Sequence, residues 1–239
     1  MIHDTIIEIT DLVKHYGYGD SRVTVIRDLS LSIKKGETVA IVGPSGAGKS
    51  TLLNIAGCLD TYQKGKVSVL SKDIPPFSVD DMSAFRNEHI GFIFQMHNLL
   101  PEFNALENIM MPLIIRRWPR KRAREEATHL LEHFGLSDRA THKPAELSGG
   151  ENQRIAVARA MVGNPDIVLA DEPTGNLDTA NSDLLTSRLL DLGREKQATI
   201  IIVTHDASIA ARTERVVTLV DGSIVDDTGS TSPEATDAN

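Results

Sequence analysis

The densest chemistry in the chain is the run Gly43-Pro44-Ser45-Gly46-Ala47-Gly48-Lys49-Ser50, followed by Thr51. Glycines stand at both fixed positions of the phosphate-loop pattern, and Lys-Ser closes it. Small residues let successive backbone N–H groups curl round phosphate oxygens, and a helix starting there adds the positive end of its dipole. The Lys49 ammonium can then reach β and γ phosphates, and the Ser50 hydroxyl can face magnesium. A bare glycine-rich turn between strand and helix is usually structural. The complete pattern, set between the apolar run Glu37–Val42 and the helical run Ser50–Ala56, points instead to a nucleoside triphosphate.

Four apolar residues, Ile167 to Ala170, lead into Asp171 and Glu172. Such a run reads as a central parallel strand that delivers two carboxylates to its C-terminal edge, where doubly wound sheets bind ligands. Asp171 suits direct or indirect magnesium coordination, and Glu172 suits a carboxylate that positions or deprotonates water. Adjacent acids elsewhere are often a solvated strand end; downstream of a complete phosphate loop they carry more weight. A second buried run, Thr199–Thr204, ends at His205-Asp206. Histidine alone is usually a packed or surface residue, and only the strand-end position singles this one out. Gln95 closes the run Ile90–Phe94 and by itself is an ordinary surface or capping residue. Tyr16, just past the first strand, is either a half-buried turn aromatic or a face on which a base can stack. The other histidines show no zinc-ligand spacing.

The elements that must hold these residues follow from periodicity. The runs Thr5–Val13 and Val23–Ile33 alternate as strands, with Gly17, Gly19 and Asp20 turning between them into an antiparallel pair. A further strand is expected over Lys66–Leu70, and a final hairpin over Arg215–Val220 and Ser223–Val225. Arg120–Phe134 reads as the clearest amphipathic helix, with Gly135 as its stop. Helices are also expected from about Asn152 to Val162 and from about Ser182 to Leu192, with a short one carrying Leu106, Ile109 and Met110. Arg116, Arg117 and Arg120 begin a strongly basic stretch: solvated arginines, or a surface for anionic lipid headgroups or an acidic partner. Thr228–Asn239 is polar and aperiodic, as expected of a mobile tail.

Composition sets the bounds. At 239 residues the chain supports one substantial α/β core with a smaller appended lobe. The 25 basic and 33 acidic side chains give a formal charge of −8, so no global basic field suits nucleic acid. The single Cys58 excludes an intrachain disulfide framework and fits a reducing compartment. Met1–Thr10 carries no secretory pattern, and no run approaches the ~20 apolar residues of a membrane span. Membrane attachment would come through a partner or a surface contact.

The ordered set of phosphate loop, Leu147-Ser148-Gly149-Gly150-Glu151 and Val168–Glu172 resembles the ATP-binding subunits of ABC transporters, over nearly everything from Ile6 to Asp227. The resemblance implies a P-loop ATPase of the ABC type with a small antiparallel lobe and a helical lobe inserted at about residues 97–160. It implies ATP and Mg2+ as cofactors and a head-to-tail homodimer, with each ATP between Lys49 of one copy and Ser148 of the other. By the same resemblance Tyr16 stacks on adenine, Gln95 senses magnesium and the attacking water, and Ser148, Gly149 and Gly150 close over the opposite ATP. Glu172 is then the catalytic carboxylate, Asp178 a dimer contact and His205 a γ-phosphate contact. Glu151 stands where glutamine is commoner. The stretch Gln95–Asn108 and Ala170–Asp178 resemble a subgroup that couples cytoplasmic ATP-driven closure to periplasmic movement. Within it Gln95–Asn108 resembles the lipoprotein-releasing ATPases most, so that lipoprotein release or a related export step is the expected work, with the macrolide- or peptide-exporting ATPases and the cell-division ATPases, which regulate cell-wall hydrolysis, as the alternatives. Such a subunit sits peripherally at the cytoplasmic face of a bacterial inner membrane, contacting integral membrane subunits through about residues 95–112.

Overall fold

In the computed structural model, which describes residues 5–75 and 82–229, two sheets share the work of presenting the phosphate loop. Of the tail expected over 228–239, only Thr228 and Gly229 fall among the described residues. The larger sheet has the order β10-β9-β3-β8-β7-β6, built from β3 (Thr38–Val42), β6 (Ile90–Ile93), β7 (Ile167–Asp171), β8 (Thr199–Val203), β9 (Arg215–Val220) and β10 (Ser223–Asp227). Strands β9, β3, β8, β7 and β6 run parallel, and β10 closes the edge as the antiparallel arm of the expected hairpin. The smaller sheet, β2-β1-β4-β5, is antiparallel and contains the expected pair β1 (Thr5–Tyr16) and β2 (Val23–Lys34), with β4 (Lys64–Val69) and β5 (Lys72–Asp73).

The central strands are apolar because both faces are covered. Alternation sends Ile167, Leu169, Ile201 and Val203 into one core, shared with β1, β2 and α1 (Lys49–Ala56). Their neighbours Val168, Ala170, Ile200 and Ile202 enter a second core with α3 (Ala105–Ile115), α4 (Arg120–His133), α5 (Gly149–Met161) and α6 (Thr179–Lys196). Each large side chain so buried contributes roughly 1.5–3 kcal/mol, and the two cores grip the sheet from opposite faces. Close approach matters at Gly91 in β6, where any Cβ would overlap the Ala160 carbonyl oxygen of α5. Two shorter helices, α2 (Ser83–His89) and α7 (Ala207–Ala210), complete the α-helical set among the described residues, and none of these helices is long and apolar enough to cross a membrane.

Local signals set the helix ends. Asn104 caps α3 through a reciprocal box with Glu107, and Gly135, at φ +67°, ends the α4 segment as expected. The loop before α3 is tied by one residue. Asn108 is fully buried; its Nδ2 donates to the Leu100, Phe103 and Asn104 carbonyls and its Oδ1 accepts from the Leu100 N–H. α5 begins three residues earlier than the sequence pattern indicates, so Gly149, Gly150 and Glu151 form its first turn, with Ser148 as the cap.

Candidate functional site

The C-terminal ends of β3, β7 and β8 meet at one cleft of about 650 Å³. β3 delivers the phosphate loop; β7 delivers Asp171 and Glu172; β8 leads to Thr204 and His205. The cleft is lined by Gly43, Ser45, Gly46, Gly48, Lys49, Ser50 and Thr51 of the loop and by Gln95, Asp171, Glu172 and His205, while Pro44 and Ala47 of the same loop do not line it. Residues far apart in the chain are thus brought together. Gly43 has φ +146°, and a Cβ there would collide with the Leu219 carbonyl of β9, so only glycine lets the loop leave β3 at this angle. Gly48 caps α1 in the left-handed region at φ +100°.

The charges in the cleft are held by short contacts. Lys49 is buried, and its Nζ donates to the carbonyls of Gly43 at 2.8 Å and Pro44 at 2.9 Å, folding the ammonium across the loop. Ser50 Oγ donates to Asp171 Oδ1 at 3.0 Å, joining the loop to the end of β7. Burial pushes the Asp171 carboxyl up, and Glu172 adds to this, while Ser50 and Lys49 oppose it. Glu172 stands at φ +47°, a left-handed conformation uncommon for a side chain of this size, with its N–H donated to the Val203 carbonyl. His205 Nδ1 lies 2.8 Å from Glu172 Oε1, and that carboxylate holds the imidazole above its ordinary value.

The hydroxyl and carboxylate pair Ser50 and Asp171 offers two hard oxygens beside the loop, with the Gln95 amide on the same cleft. Magnesium is characteristically bound by one or two protein oxygens and completed by substrate phosphates, so the donor set fits that ion.

Several expected residues lie elsewhere. Ser148, Gly149, Gly150 and Asp178 do not line this cleft. Gly149 instead borders a smaller hollow with Gln95, Met96, His97, Pro173 and Asn176. Ser148 Oγ accepts from the Glu151 N–H and donates to Glu151 Oε2, whose other oxygen takes the Arg139 Nε–H at 2.8 Å. The Ser148 N–H, Arg139 and the Ser148 hydroxyl draw the Glu151 carboxyl down to about 2. Asp178 caps α6, accepting from the Asn181 N–H. Tyr16 also stands outside the cleft, 44% exposed, with its hydroxyl donated to Asp60 Oδ2 at 2.5 Å. Its phenol lies beside the Thr51 side chain, which does line the cleft.

A second concavity, about 490 Å³, opens between the sheet edge and α3, and is bordered by Leu59, Phe92, Phe94, Pro112 and Ile115. The Phe92 and Phe94 rings stack at 5.7 Å along one wall. The partner surface expected over residues 95–112 meets this groove only at Asn98 and Pro112. Leu99 and Leu106 are core residues, while Leu100 and Phe103 are partly exposed away from the groove. One expectation needs correction. Arg116 is not a free arginine for lipid, because its Nε and Nη2 donate to the Asn87 carbonyl and its Nη1 to the Gly163 carbonyl. Arg117 and Arg120 are exposed.

Val25 was not legible as a cleft residue, since nothing separates it from the other apolar positions of β2. The Arg139 tie to Glu151 spans two elements and leaves no local mark in the sequence.

Residues 26–175 match the protein family described as ABC transporter. The chain is 49% identical to the lipoprotein-releasing system ATP-binding protein LolD of Geobacter metallireducens, over 93% of this chain and 99% of that protein. It is 46% identical to the protein of the same name from Legionella pneumophila, over 93% and 98% respectively. Among solved structures it is similar to the ATP-binding cassette MJ0796, a dimer bound to ADP and Pi, with a TM-score of 0.86 and 38% identity. That match covers 92% of this chain and 97% of the other.

Proposed function

The chain belongs to the ABC transporter family as an ATP-hydrolysing subunit, and we propose that it powers the release of lipoproteins from a bacterial inner membrane. The observation that carries the catalytic part is the facing of the phosphate loop and the Asp171-Glu172 strand end across one cleft, joined by the Ser50–Asp171 bond. The cargo reading is supported by the relatives, which are named for lipoprotein release and match this chain almost end to end.

In this reading ATP lies along the phosphate loop, with its β and γ phosphates in the backbone N–H cradle and the α1 dipole behind them. Lys49 exchanges its two carbonyl partners for phosphate oxygens. Ser50 and Asp171, with Gln95 beside them, are the residues that would hold Mg2+, which would supply charge neutralisation to the phosphates. Glu172 orients the attacking water and takes its proton, and His205 turns from Glu172 to the γ phosphate. Stabilisation of the developing charge comes from groups already in place before the reaction.

Ser148, Gly149 and Gly150 form the start of α5, an arrangement suited to phosphate. That they do not line the cleft of their own chain fits a head-to-tail homodimer in which they close over the partner's ATP, with Asp178 at the dimer contact; the dimeric cassette MJ0796 supports a dimer. Tyr16 stacks on the adenine. The groove at Phe92 and Ile115, at the edge of a helical lobe of about residues 97–160, receives an amphipathic cytoplasmic helix of a membrane subunit. The chain is thereby held peripherally at the cytoplasmic face, with Arg117 and Arg120 toward anionic headgroups.

Reconstitution with its membrane subunits in proteoliposomes tests the cargo. ATP-dependent transfer of a tri-acylated lipoprotein to a soluble acceptor, abolished by Glu172→Gln, is the expected result. ATP-dependent expulsion of a macrolide with no lipoprotein transfer would replace this reading with an efflux role.

A further inference from the structure

Two lysines are buried among the described residues: Lys49, in the phosphate loop, and Lys14, in β1. Burying an ammonium is costly unless it is fully paired, and Lys14 is paired on every side. Its side chain is 3% exposed; Nζ donates to Asp60 Oδ1 at 2.7 Å and to the Thr61 carbonyl at 2.7 Å. The same nitrogen sits 4.4 Å from the centre of the Tyr16 ring, two residues along the strand and therefore on the same face. Asp60 completes the figure by accepting the Tyr16 hydroxyl on its second oxygen and the Thr61 N–H on its first. Burial pushes the Asp60 carboxyl up, but the bonds from Lys14, Tyr16 and Thr61 outweigh it and hold the group ionised.

Asp60 lies in the turn that closes α1, where its N–H reaches back to the Asn54 carbonyl. The cluster therefore fastens the end of β1 to the helix that begins at the phosphate loop. It also dictates what the tyrosine can do. One ring face is occupied by a cation, the hydroxyl is tethered, and the ring remains 44% exposed. A ring pinned in this way cannot swing, and it offers a planar group its other face. The ammonium draws π density toward the inner face, which lessens the repulsion between the outer face and an electron-rich purine.

We propose that Lys14 and Asp60 are positioning residues for nucleotide binding: together they fix Tyr16 so that its free face stacks on the base, and they contribute the base-dependent part of ATP affinity. This rests on the reading of Tyr16 as the base platform. The pair acts through the ring and makes no contact with phosphate.

The test separates base from phosphate. ATP KM and kcat are measured on the full-length chain, together with the Ki of magnesium tripolyphosphate, which has no base, as a competitor. Tyr16→Ala is expected to raise the ATP KM about 10- to 100-fold, the range of aromatic–base stacking, with the tripolyphosphate Ki unchanged. Lys14→Met is expected to raise KM about three- to tenfold, again with kcat and the tripolyphosphate Ki unchanged, and Lys14→Arg to restore most of the loss. Asp60→Asn serves as the second variant should Lys14→Met not fold, with the same expected pattern. If Tyr16→Ala weakens ATP and tripolyphosphate alike, the platform reading of Tyr16 falls. If Tyr16→Ala is base-selective but neither Lys14→Met nor Asp60→Asn changes the ATP KM, the platform stands and the positioning role is overturned. Equal weakening of ATP and tripolyphosphate by those two variants also overturns it, since the cluster would then be a strut under the phosphate loop.

Discussion

His205 Nδ1 and Glu172 Oε1 are 2.8 Å apart, so the carboxylate proposed to act on water is engaged by a neighbouring side chain. The histidine is raised above its ordinary 6.5 by the hydrogen bond and charge of Glu172. A raised folded value favours the protonated, folded form. The pair's contribution to stability is therefore complete below about pH 6.5 and is lost as pH climbs through the raised value. His205 is 72% exposed in its side chain, so the effect on stability is small. The measurement is an NMR titration of the His205 ring. Its midpoint should lie above 6.5 in the wild type and fall toward 6.5 in Glu172→Gln; an identical midpoint in both would remove the pairing from solution.

Catalysis and binding should separate at opposite walls of the cleft. Glu172→Gln keeps the loop and Lys49 intact, so ATP binding persists while turnover drops about 10²–10⁴-fold, the usual range for a lost general base. Lys49→Ala removes a charge-assisted bond to phosphate, worth about 1.5–3 kcal/mol, and should weaken ATP binding about 10- to 100-fold. Calorimetric binding and steady-state phosphate release on both variants check the split. Near-normal hydrolysis by Glu172→Gln would refute the assignment of Glu172.

A composite site can be counted. Ser148→Arg places bulk and charge at the cap of α5, where a partner's ATP is proposed to close. Dimers mixed so that one copy carries Ser148→Arg and the other Lys49→Ala should retain one intact site and trap about half the nucleotide of the wild type. Dimers with both changes in a single copy have both sites damaged and should trap little. The reverse pattern, little trapping in the first arrangement and about half in the second, would mean that each chain completes its own site, and equal trapping would count against composite sites.

The groove and the arginines at the end of α3 make distinct predictions. Ile115→Asp puts a carboxylate among Leu59, Phe92 and Phe94, and should abolish co-purification of the membrane subunits without changing ATP binding by the isolated chain. Phe103→Asp, outside the groove, should spare co-purification; loss of the partner there instead would shift the docking surface toward Leu100 and Phe103. Arg116→Ala should lower stability by about 1–3 kcal/mol through its lost bonds to the Asn87 and Gly163 carbonyls, seen by denaturant melting. Arg117→Ala with Arg120→Ala should leave melting unchanged and weaken association only with vesicles containing anionic lipid.

How much of this was legible depends on whether the signal was local. The phosphate loop, the strand ending in Asp171-Glu172 and the hairpin at Asp221-Gly222 each carry their pattern within a few residues, and each appears in the fold. The expected helix start at Asn152 came from apolar spacing; the reciprocal Ser148–Glu151 cap moves the start to Gly149 and turns a glycine-rich loop into a helix end. Arg116 misled because a guanidinium's partners here are backbone carbonyls from two other segments, and no side-chain type advertises a free carbonyl. Lys14 is the same case in reverse: a lysine in a strand reads as solvated until Asp60, 46 positions away, folds onto it.

The fourfold tie made by Asn108 has a mechanical meaning. A loop held by its own carbonyls and amide to a single side chain on α3 has no slack with which to absorb a push. Force applied to α3 at Pro112 or Ile115, in the groove, therefore carries the loop of residues 100–104 with it as a lever's load, and passes through the shared core to α5, which Ser148 caps. Loosening this one joint with Asn108→Ala would leave two ends of the machine intact but poorly geared.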